Sequence, residues 1–351
     1  MAAMRPVSIA GRAIGPDQPP YVIAEMSGNH NGDIGRAFAL IEAARAAGAD
    51  AVKLQTYTAD TITIDHDGPG FTIEGGLWHG RRLHELYQEA HTPWDWHPRL
   101  FDKAAEVGIT LFSSPFDPTA VEFLESLDAP AYKVASFEIV DTPLVACMAR
   151  TGKPLIVSTG LASPEDIADA VEAARGAGGG GLILLHCTSG YPTPPSQMHL
   201  RTMADLAARH GAFVGLSDHT MGTAVSVAAV ALGACVIEKH FTLVRADGGP
   251  DAAFSLEPEE LARLTRDCRD AWEALGVVHY AEVAAEAASR DHRRSLYVVA
   301  DTRRGDILTE QNIRSIRPGH GLAPKHLHAV LGRPAARDLK RGEPLAWDLV
   351  G

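Results

Sequence analysis

A chain of 351 residues that is 46% hydrophobic and 22% charged is longer than one small domain needs and too apolar to be disordered, and its 33 glycines and 22 prolines follow no collagen-like period. With 44 acidic against 32 basic residues the formal net charge is −12, which excludes a protein that coats nucleic acid or an anionic membrane through a general basic field, so any anionic ligand has to be held locally. Cys147, Cys187, Cys235 and Cys268 form no C-x-x-C pair, which argues against a disulfide framework or zinc ribbon, and a reduced cytoplasmic chain with no leader or membrane span is expected.

Short apolar runs then recur, each followed by an amphipathic stretch rich in Ala and Leu, the alternation of βα units around a buried parallel sheet. In chain order they are YVIAE (21–25) with a helix over 34–47, and DAVKLQ (50–55) with an insertion over 57–92 and a helix over 97–107. ITLFSS (109–114) precedes a helix over 117–127, and YKVAS (132–136) and PLIVST (154–159) precede one over 164–177. LILLHC (182–187) with 197–210, FVGLSD (213–218) with 221–232, and CVIEKH (235–240) with a helix near 258–276 complete the set. Eight such units are the arithmetic of a (β/α)8 TIM barrel. A doubly wound sheet is the alternative, but no G-x-G-x-x-G follows the first strand, and every strand end is polar.

Those ends carry Glu25, Lys53 and Gln55, Ser113 and Ser114, Lys133 and Ser136, Ser158 and Thr159, His186 and Thr188, Ser217 and His219, and Glu238 and His240. In a barrel all of them converge on the C-terminal rim, where chemistry is done. GAGGGG (176–181) has no Lys-Ser or Lys-Thr after it and reads as a helix-to-strand connector. EVAAEAASRDHRRS reads as a charged helical linker, and the expected division is a barrel over 1–280, a linker over 281–294 and a small β-rich domain over 295–351. That last segment contains a weak repeat, ADTRRGDILTEQNI against ARDLKRGEPLAWDL, and is short enough to need support from the barrel or a partner subunit.

His219 and His240 end neighbouring strands, which places two imidazoles at one rim position. With oxygen ligands they suit a divalent ion such as Mn²⁺; the alternative is two satisfied polar histidines. Lys53 and Lys133 are costly to bury without a counter-anion, and point to a bound phosphate or carboxylate, or to a Schiff base. Ser114, Ser136, Ser158 and Ser217 add short donors from four strand ends, as an anion of several oxygens requires. Trp78, Tyr87, Trp94 and Trp96 make the stretch after strand two rich in aromatics, as a substrate cover or as a satellite apolar cluster.

AEMSGNHNGDIGRAFALIEAARAAGADAVKLQTYTADT, KVASFE, VSTG, HCTSGYPTP, GLSDHT and IEKHFT resemble the sialic acid synthase family over nearly the whole chain. RSLYVVADTRRGD and RSIRPGHGL resemble the antifreeze-like (SAF) domain that follows the barrel there. Within the family, LWHGRRLHELYQEAHTPWDWH, SFEIVDTPL and RADGGPDAAFSLEP are most similar to the pseudaminic acid synthases. The resemblance implies a metal-dependent condensation of phosphoenolpyruvate with 2,4-diacetamido-2,4,6-trideoxy-L-altrose to pseudaminic acid and phosphate. The alternative products are N-acetylneuraminate and legionaminic acid. It implies a divalent cation, Mn²⁺ first and Mg²⁺ or Co²⁺ also possible, on His219 and His240.

By the same resemblance Lys53, Ser114, Lys133, Ser136, Ser158, Ser189 and Ser217 hold the phosphate and carboxylate. Ser189 departs from the Asn common at its place. Glu25, Gln55, Tyr191 and Asp251 match sugar-holding positions, and Glu25 joins Glu138 and Glu238 as the catalytic carboxylates, the last two for proton transfer or for binding the attacking water. Arg317 matches a residue that reaches the sugar's acyl group across a domain-swapped homodimer. Arg82 stands where a Thr is expected, and PSQMHLRTM is less acidic than the matching stretch. The rival classes are a Schiff-base aldolase using Lys53 or Lys133 and a sugar-binding protein without turnover.

Overall fold

The computed structural model describes residues 7–351 and divides the chain into two compact units, Met1–Gly276 and Val277–Gly351. The first opens with a hairpin absent from the sequence expectation, β1 (Val7–Ile9) and β2 (Arg12–Ile14), whose turn residues Ala10 and Gly11 both have positive φ, as a two-residue hairpin turn requires. Strands of three residues carry too little pattern to be recognised.

The barrel elements follow as β3 (Tyr21–Glu25), α1 (Ile34–Ala46), β4 (Ala51–Thr56), α2 (Ala59–Ile62), α3 (Leu83–Ala90), α4 (His97–Val107), β5 (Thr110–Pro115) and α5 (Pro118–Ser126). Next come β6 (Tyr132–Val134), α6 (Thr142–Ala149), β7 (Leu155–Ser158), α7 (Pro164–Gly176), β8 (Leu182–Cys187), α8 (Thr202–His210), β9 (Phe213–Ser217), α9 (Ala224–Ala231), β10 (Val236–His240) and α10 (Pro258–Leu275). Strands β3 to β10 pair in chain order, all parallel, and β10 returns to pair with β3, so the sheet closes into the expected eight-stranded barrel.

The helices start where side chains can take up free N–H groups. Asp33 accepts from Gly35, Asp117 from Thr119 and Ala120, and Ser163 from Asp166, with Pro118 and Pro164 in the first turn of their helices. Two expected helices begin later than expected: α8 follows a 3₁₀ turn at Pro195–Gln197 and a left-handed His199, and α9 follows the left-handed Gly222. The apolar run YKVAS likewise gives a strand only to Val134, and Ser136 begins the 3₁₀ turn Ser136–Glu138.

Period-two alternation sorts each strand into a lumen column and a helix-facing column. The lumen columns begin apolar, with Ile23, Ala51, Phe112, Ala131, Ile156, Ile183, Leu185 and Val236 packed against β1 and β2, which plug the N-terminal end. Two residues further up, the same columns turn polar at Glu25, Lys53, Ser114, Lys133, Ser158 and Glu238. Gly215 belongs to this lining, because a Cβ there would lie 2.3 Å from Val236 O and 2.7 Å from Leu185 Cδ2. The apolar floor is what makes the polar upper layer rigid, and truncating the fully buried Phe112 to Ala costs about 3–5 kcal/mol.

The second unit pairs β11 (Ser295–Val298) with β12 (Ile313–Ile316) antiparallel and adds α11 (Leu327–Val330) around a core of Leu296, Val298, Leu308, Ile313, Val330 and Leu339. The weak repeat is structural. Gly305 and Gly342 take φ of 87° and 91°, Asp306 accepts from Arg303 N and Glu343 from Lys340 N. Thr302 and Leu339 then bond backbone to backbone in both directions, pairing the two copies. The charged stretch before β11 forms a 3₁₀ helix, Ala284–His292, within this unit. Among the described residues, no helix is long and apolar enough to cross a membrane.

Candidate active site at the carboxyl ends of the barrel strands

Register decides which strand-end residues meet. Glu25 and Lys53 are direct neighbours across β3 and β4, and Lys53 Nζ lies 2.9 Å from Glu25 Oε2 and donates to Ser114 Oγ at 3.3 Å. Glu238 Oε1 lies 3.7 Å from Lys53 Nζ and 3.6 Å from Lys133 Nζ and accepts from Ser217 Oγ at 3.2 Å. Gln55 Nε2 donates to Glu25 Oε1 at 2.8 Å. Two ammoniums and two carboxylates thus share the lumen, all four buried.

Burial pushes the Glu25 carboxyl up to about 7 against the opposing pull of Lys53, and Glu238 adds to the rise. For Glu238, burial is outweighed by Lys133 and Lys53, which hold it below the usual range. Lys53 is raised because Glu238 and Glu25 overcome its burial, whereas burial wins at Lys133 and lowers it. The site therefore holds one carboxylate kept ionised and one poised near neutrality.

The serines expected to hold an anion all lie at the carboxyl ends of the strands, with one change of route. Ser136 arrives on its 3₁₀ turn and accepts from Gly160 N at 3.2 Å, and a Cβ on Gly160 would lie 2.3 Å from Ser189 Oγ and 2.7 Å from Ser136 Oγ. A side chain at 160 would therefore displace the hydroxyls that converge there. Ser158 Oγ is buried without a hydrogen-bond partner, as are Glu138 Oε2 and Glu238 Oε2. Unpartnered buried donors and acceptors at the strand ends are groups that a polar ligand would satisfy. Burial also lifts Glu138 to about 7, opposed by Lys133 and Lys53.

Other strand-end residues face away. Ser113 and Thr56 lie on the helix side, hydrogen-bonded to each other at 2.6 Å, and Thr56 donates to His97 Nε2, whose Nδ1 donates to Pro93 O. His186 donates to Met198 O, so Cys187, not His186, is the β8 side chain at the site. Its Sγ lies 3.8 Å from His219 Nδ1 and 3.9 Å from Ser189 Oγ. Although burial opposes ionisation, His219 and Ser136 bring this thiol down to about 7. Once the closed barrel places Leu185 on the lumen side, alternation places Cys187 there too.

The two histidines do meet, with ring centroids 5.3 Å apart. His219 Nδ1 donates to Thr188 O at 3.1 Å, leaving Nε2 as the ring's lone-pair nitrogen. His240 Nδ1 is buried without a hydrogen-bond partner, 3.7 Å from Asp251 Oδ2. Among the described residues no group of three or more His, Cys, Asp or Glu side chains is placed to hold a metal ion. Two imidazoles with an orphaned buried nitrogen fit a divalent cation that completes its shell with water and substrate oxygens.

Asp251 accepts from the Ser27 hydroxyl, a residue the sequence reading missed; Ser27 sits in the left-handed region at φ 48°, and such strain in a non-glycine is a mark of functional loops. Aromatic rings wall this side. Tyr191 packs on His219 and Phe254 with centroids 4.5 and 5.1 Å away, and Trp78 packs on Tyr191 at 5.5 Å while donating to Pro250 O at 2.9 Å. Tyr87 meets Tyr57 at 5.7 Å. Trp94 instead stacks on Phe123, and Trp96 packs edgewise on His30, so those two fasten the insertion to the barrel. Arg82 pairs with Asp65 and Glu85 inside the insertion. Arg317 is exposed in the other unit, directly after β12.

Comparison with known proteins places this site in context. The family model described as the NeuB family matches residues 40–280, and that of the SAF domain matches 293–351. The chain is 43% identical over 329 residues to a pseudaminic acid synthase of Campylobacter jejuni, covering 94% of this chain and 96% of that one. It is 34% identical over 335 residues to an N,N'-diacetyllegionaminic acid synthase of Legionella pneumophila, with 94% of both chains covered. A crystal structure of an N-acetylneuraminic acid synthetase from Leptospira borgpetersenii, in complex with citrate, superposes with a TM-score of 0.73 at 29% identity, covering 82% of this chain and 96% of that one.

Proposed function

We infer that this chain, which belongs to the NeuB family and is a carbon–carbon bond-forming synthase, condenses phosphoenolpyruvate with 2,4-diacetamido-2,4,6-trideoxy-L-altrose to give pseudaminic acid and phosphate. The observation that carries the anionic substrate is the pair of buried ammoniums, Lys53 and Lys133, among serine hydroxyls in a water-poor lumen. The choice of sugar rests on the higher identity to a pseudaminic acid synthase, 43% against 34% for a legionaminic one, and on an aromatic wall suited to methyl and acetyl groups.

Atom balance sets the tasks: C3 of phosphoenolpyruvate bonds to the aldehyde carbon, water supplies the oxygen that remains on C2, and phosphate leaves. Lys53 and Lys133, with Ser114, Ser136, Ser158, Ser189 and Ser217, hold the phosphate and carboxylate. Glu25, Gln55, Tyr191 and Asp251 orient the sugar. Glu238, kept ionised by the two lysines, accepts from the attacking water, and Glu138, poised near neutrality, moves a proton. His219 and His240 would hold a divalent cation, Mn²⁺ by first choice, which would supply Lewis acidity for attack on the sugar's aldehyde.

The working unit in this reading is a domain-swapped homodimer, with Arg317 of the second subunit placing its planar donor fork on the sugar's acyl oxygen. Its support is the exposure of Phe137, Val140, Leu161 and Met221 on loops that follow β6, β7 and β9, an apolar rim in need of a cover. Free cysteines at all four positions suit the reducing cytoplasm.

The test is phosphate release from phosphoenolpyruvate with Mn²⁺ and a panel of amino sugars, each product identified by mass. At least tenfold higher kcat/KM for the 6-deoxy di-N-acetylated altrose than for N-acetylmannosamine is expected. A preference for N-acetylmannosamine or for the legionaminic precursor overturns the choice of sugar. Borohydride trapping of a substrate on Lys53 or Lys133 overturns the reaction.

A further inference from the structure

Asp218 and Lys239 lie outside the site just described. Their chain neighbours Ser217, Glu238 and His240 face the lumen, so these two face the helix layer, where their side chains are 0% and 1% exposed. Lys239 Nζ donates to Asp218 Oδ2 at 2.8 Å and to Thr220 O at 2.6 Å. Asp218 also accepts from Ser226 Oγ of α9 at 2.6 Å and from Thr220 N at 2.8 Å. Every one of these contacts is buried.

An ion pair in such a layer is poorly explained by stability, because apolar residues of the same volume are commonly as stable or more so. Its placement explains it better. The one ammonium holds the side chain that precedes His219 and the carbonyl that follows it, and Lys239 itself is bonded in the chain to His240. The loop after β9 has further ties, Thr193 N to His219 O at 3.0 Å and Asp218 N to Glu238 O at 2.9 Å, and Lys239 adds a side-chain tie from the residue before His240 to the residues on both sides of His219.

We propose that the Asp218–Lys239 pair is a positioning clamp that sets the spacing of the His219 and His240 imidazoles and thereby the site's affinity for a divalent cation. This rests on the reading that these histidines hold the cation. Neither residue touches substrate or ion; both act through the backbone of the ligands they flank, as outer-shell groups of metal sites do.

The test compares the full-length protein with the double variant Asp218→Asn/Lys239→Met, which removes both charges together and leaves no buried charge unpaired. Mn²⁺ is titrated calorimetrically into metal-free protein, and urea unfolding is followed in parallel. The expected result is an unfolding midpoint equal to or above that of the parent with a 10- to 100-fold weaker Mn²⁺ affinity, the range typical of outer-shell losses. A role in stability alone lowers the midpoint and leaves the affinity of the folded protein unchanged, and that result overturns the clamp. If the double variant does not fold, Ser226→Ala, which removes one bond to Asp218 from the side away from the histidines, is expected to weaken Mn²⁺ binding several-fold, and unchanged affinity there overturns it equally. If His219→Ala and His240→Ala bind Mn²⁺ as the parent does, the cation reading itself falls, and the clamp with it, before either clamp residue is changed.

Discussion

Lys53 and Glu25 stand side by side on adjacent strands, buried and 2.9 Å apart, so each is the other's solvent. Removing one partner of such a pair strands the other, at a cost of about 3–5 kcal/mol, whereas removing both is far milder. Lys53→Met is therefore expected to lower the unfolding free energy by about that amount, and Lys53→Met/Glu25→Gln to recover most of it. Equal losses in the single and double variants, measured by urea unfolding, would show that the two residues are not coupled.

Glu138 gives a pH dependence whose sign is set by its burial. The carboxyl sits at about 7 in the folded chain against 4.5 for the free group, so its contribution to stability is complete below about 4.5 and is lost as pH rises through about 7. The span corresponds to roughly 3 kcal/mol at most. Glu138→Gln is expected to reduce the fall in stability over that window, leaving the part that Glu25 contributes, and to lower kcat by about 10²–10⁴ with loss of the limb near neutrality. An unchanged pH profile in the variant removes Glu138 from proton transfer.

The proposed cation site at His219 and His240 predicts a thermal signature. Mn²⁺ at a hundred times its Kd is expected to add about 2.7 kcal/mol to the unfolding free energy. Chelator is expected to abolish activity and restored Mn²⁺ to return it. His240→Ala should show neither the shift nor the activity; a full shift in that variant places the ion elsewhere.

Trp78 joins two loops over the site, through Tyr191 and through Pro250 O beside Asp251. Trp78→Ala is expected to raise the sugar KM about tenfold or more, the scale of a lost apolar contact, and to leave the phosphoenolpyruvate KM unchanged. Equal increases in both would make Trp78 a support of the whole rim instead of the sugar's wall.

Sharing of the site between subunits predicts complementation. Mixing inactive Arg317→Ala chains with inactive His240→Ala chains should restore activity, since one site of the mixed dimer keeps both residues. Demonstrated subunit exchange without recovery, or an active monomer by sedimentation, sinks the shared site.

The C-terminal repeat illustrates what a sequence records and what it leaves implicit. TRRGDIL and LKRGEPL are visibly alike, but the reason is geometric: a left-handed Gly and a carboxylate that accepts from the backbone three residues earlier. The histidines at 219 and 240 were legible because one ends a strand, the other follows the end of its neighbour by two residues, and neighbouring strands place their ends together. Ser27 and Cys187 were not, since a left-handed serine and a lumen-facing thiol announce themselves only once the backbone is in place.

The sequence by itself determined the eight βα units, the polar C-terminal rim and the reaction class, because strands buried on both faces are written as contiguous apolar runs and the family's motifs are contiguous too. Only the tertiary structure decided which polar residue of each strand end enters the lumen: Ser114 and not Ser113, Cys187 and not His186, Ser217 and not Asp218. A parallel barrel strand is apolar on both faces, so its alternation carries no label for inside and outside. Closure of the barrel supplies that label, and with it turns the buried pair of Asp218 and Lys239 away from the lumen, toward the helix layer.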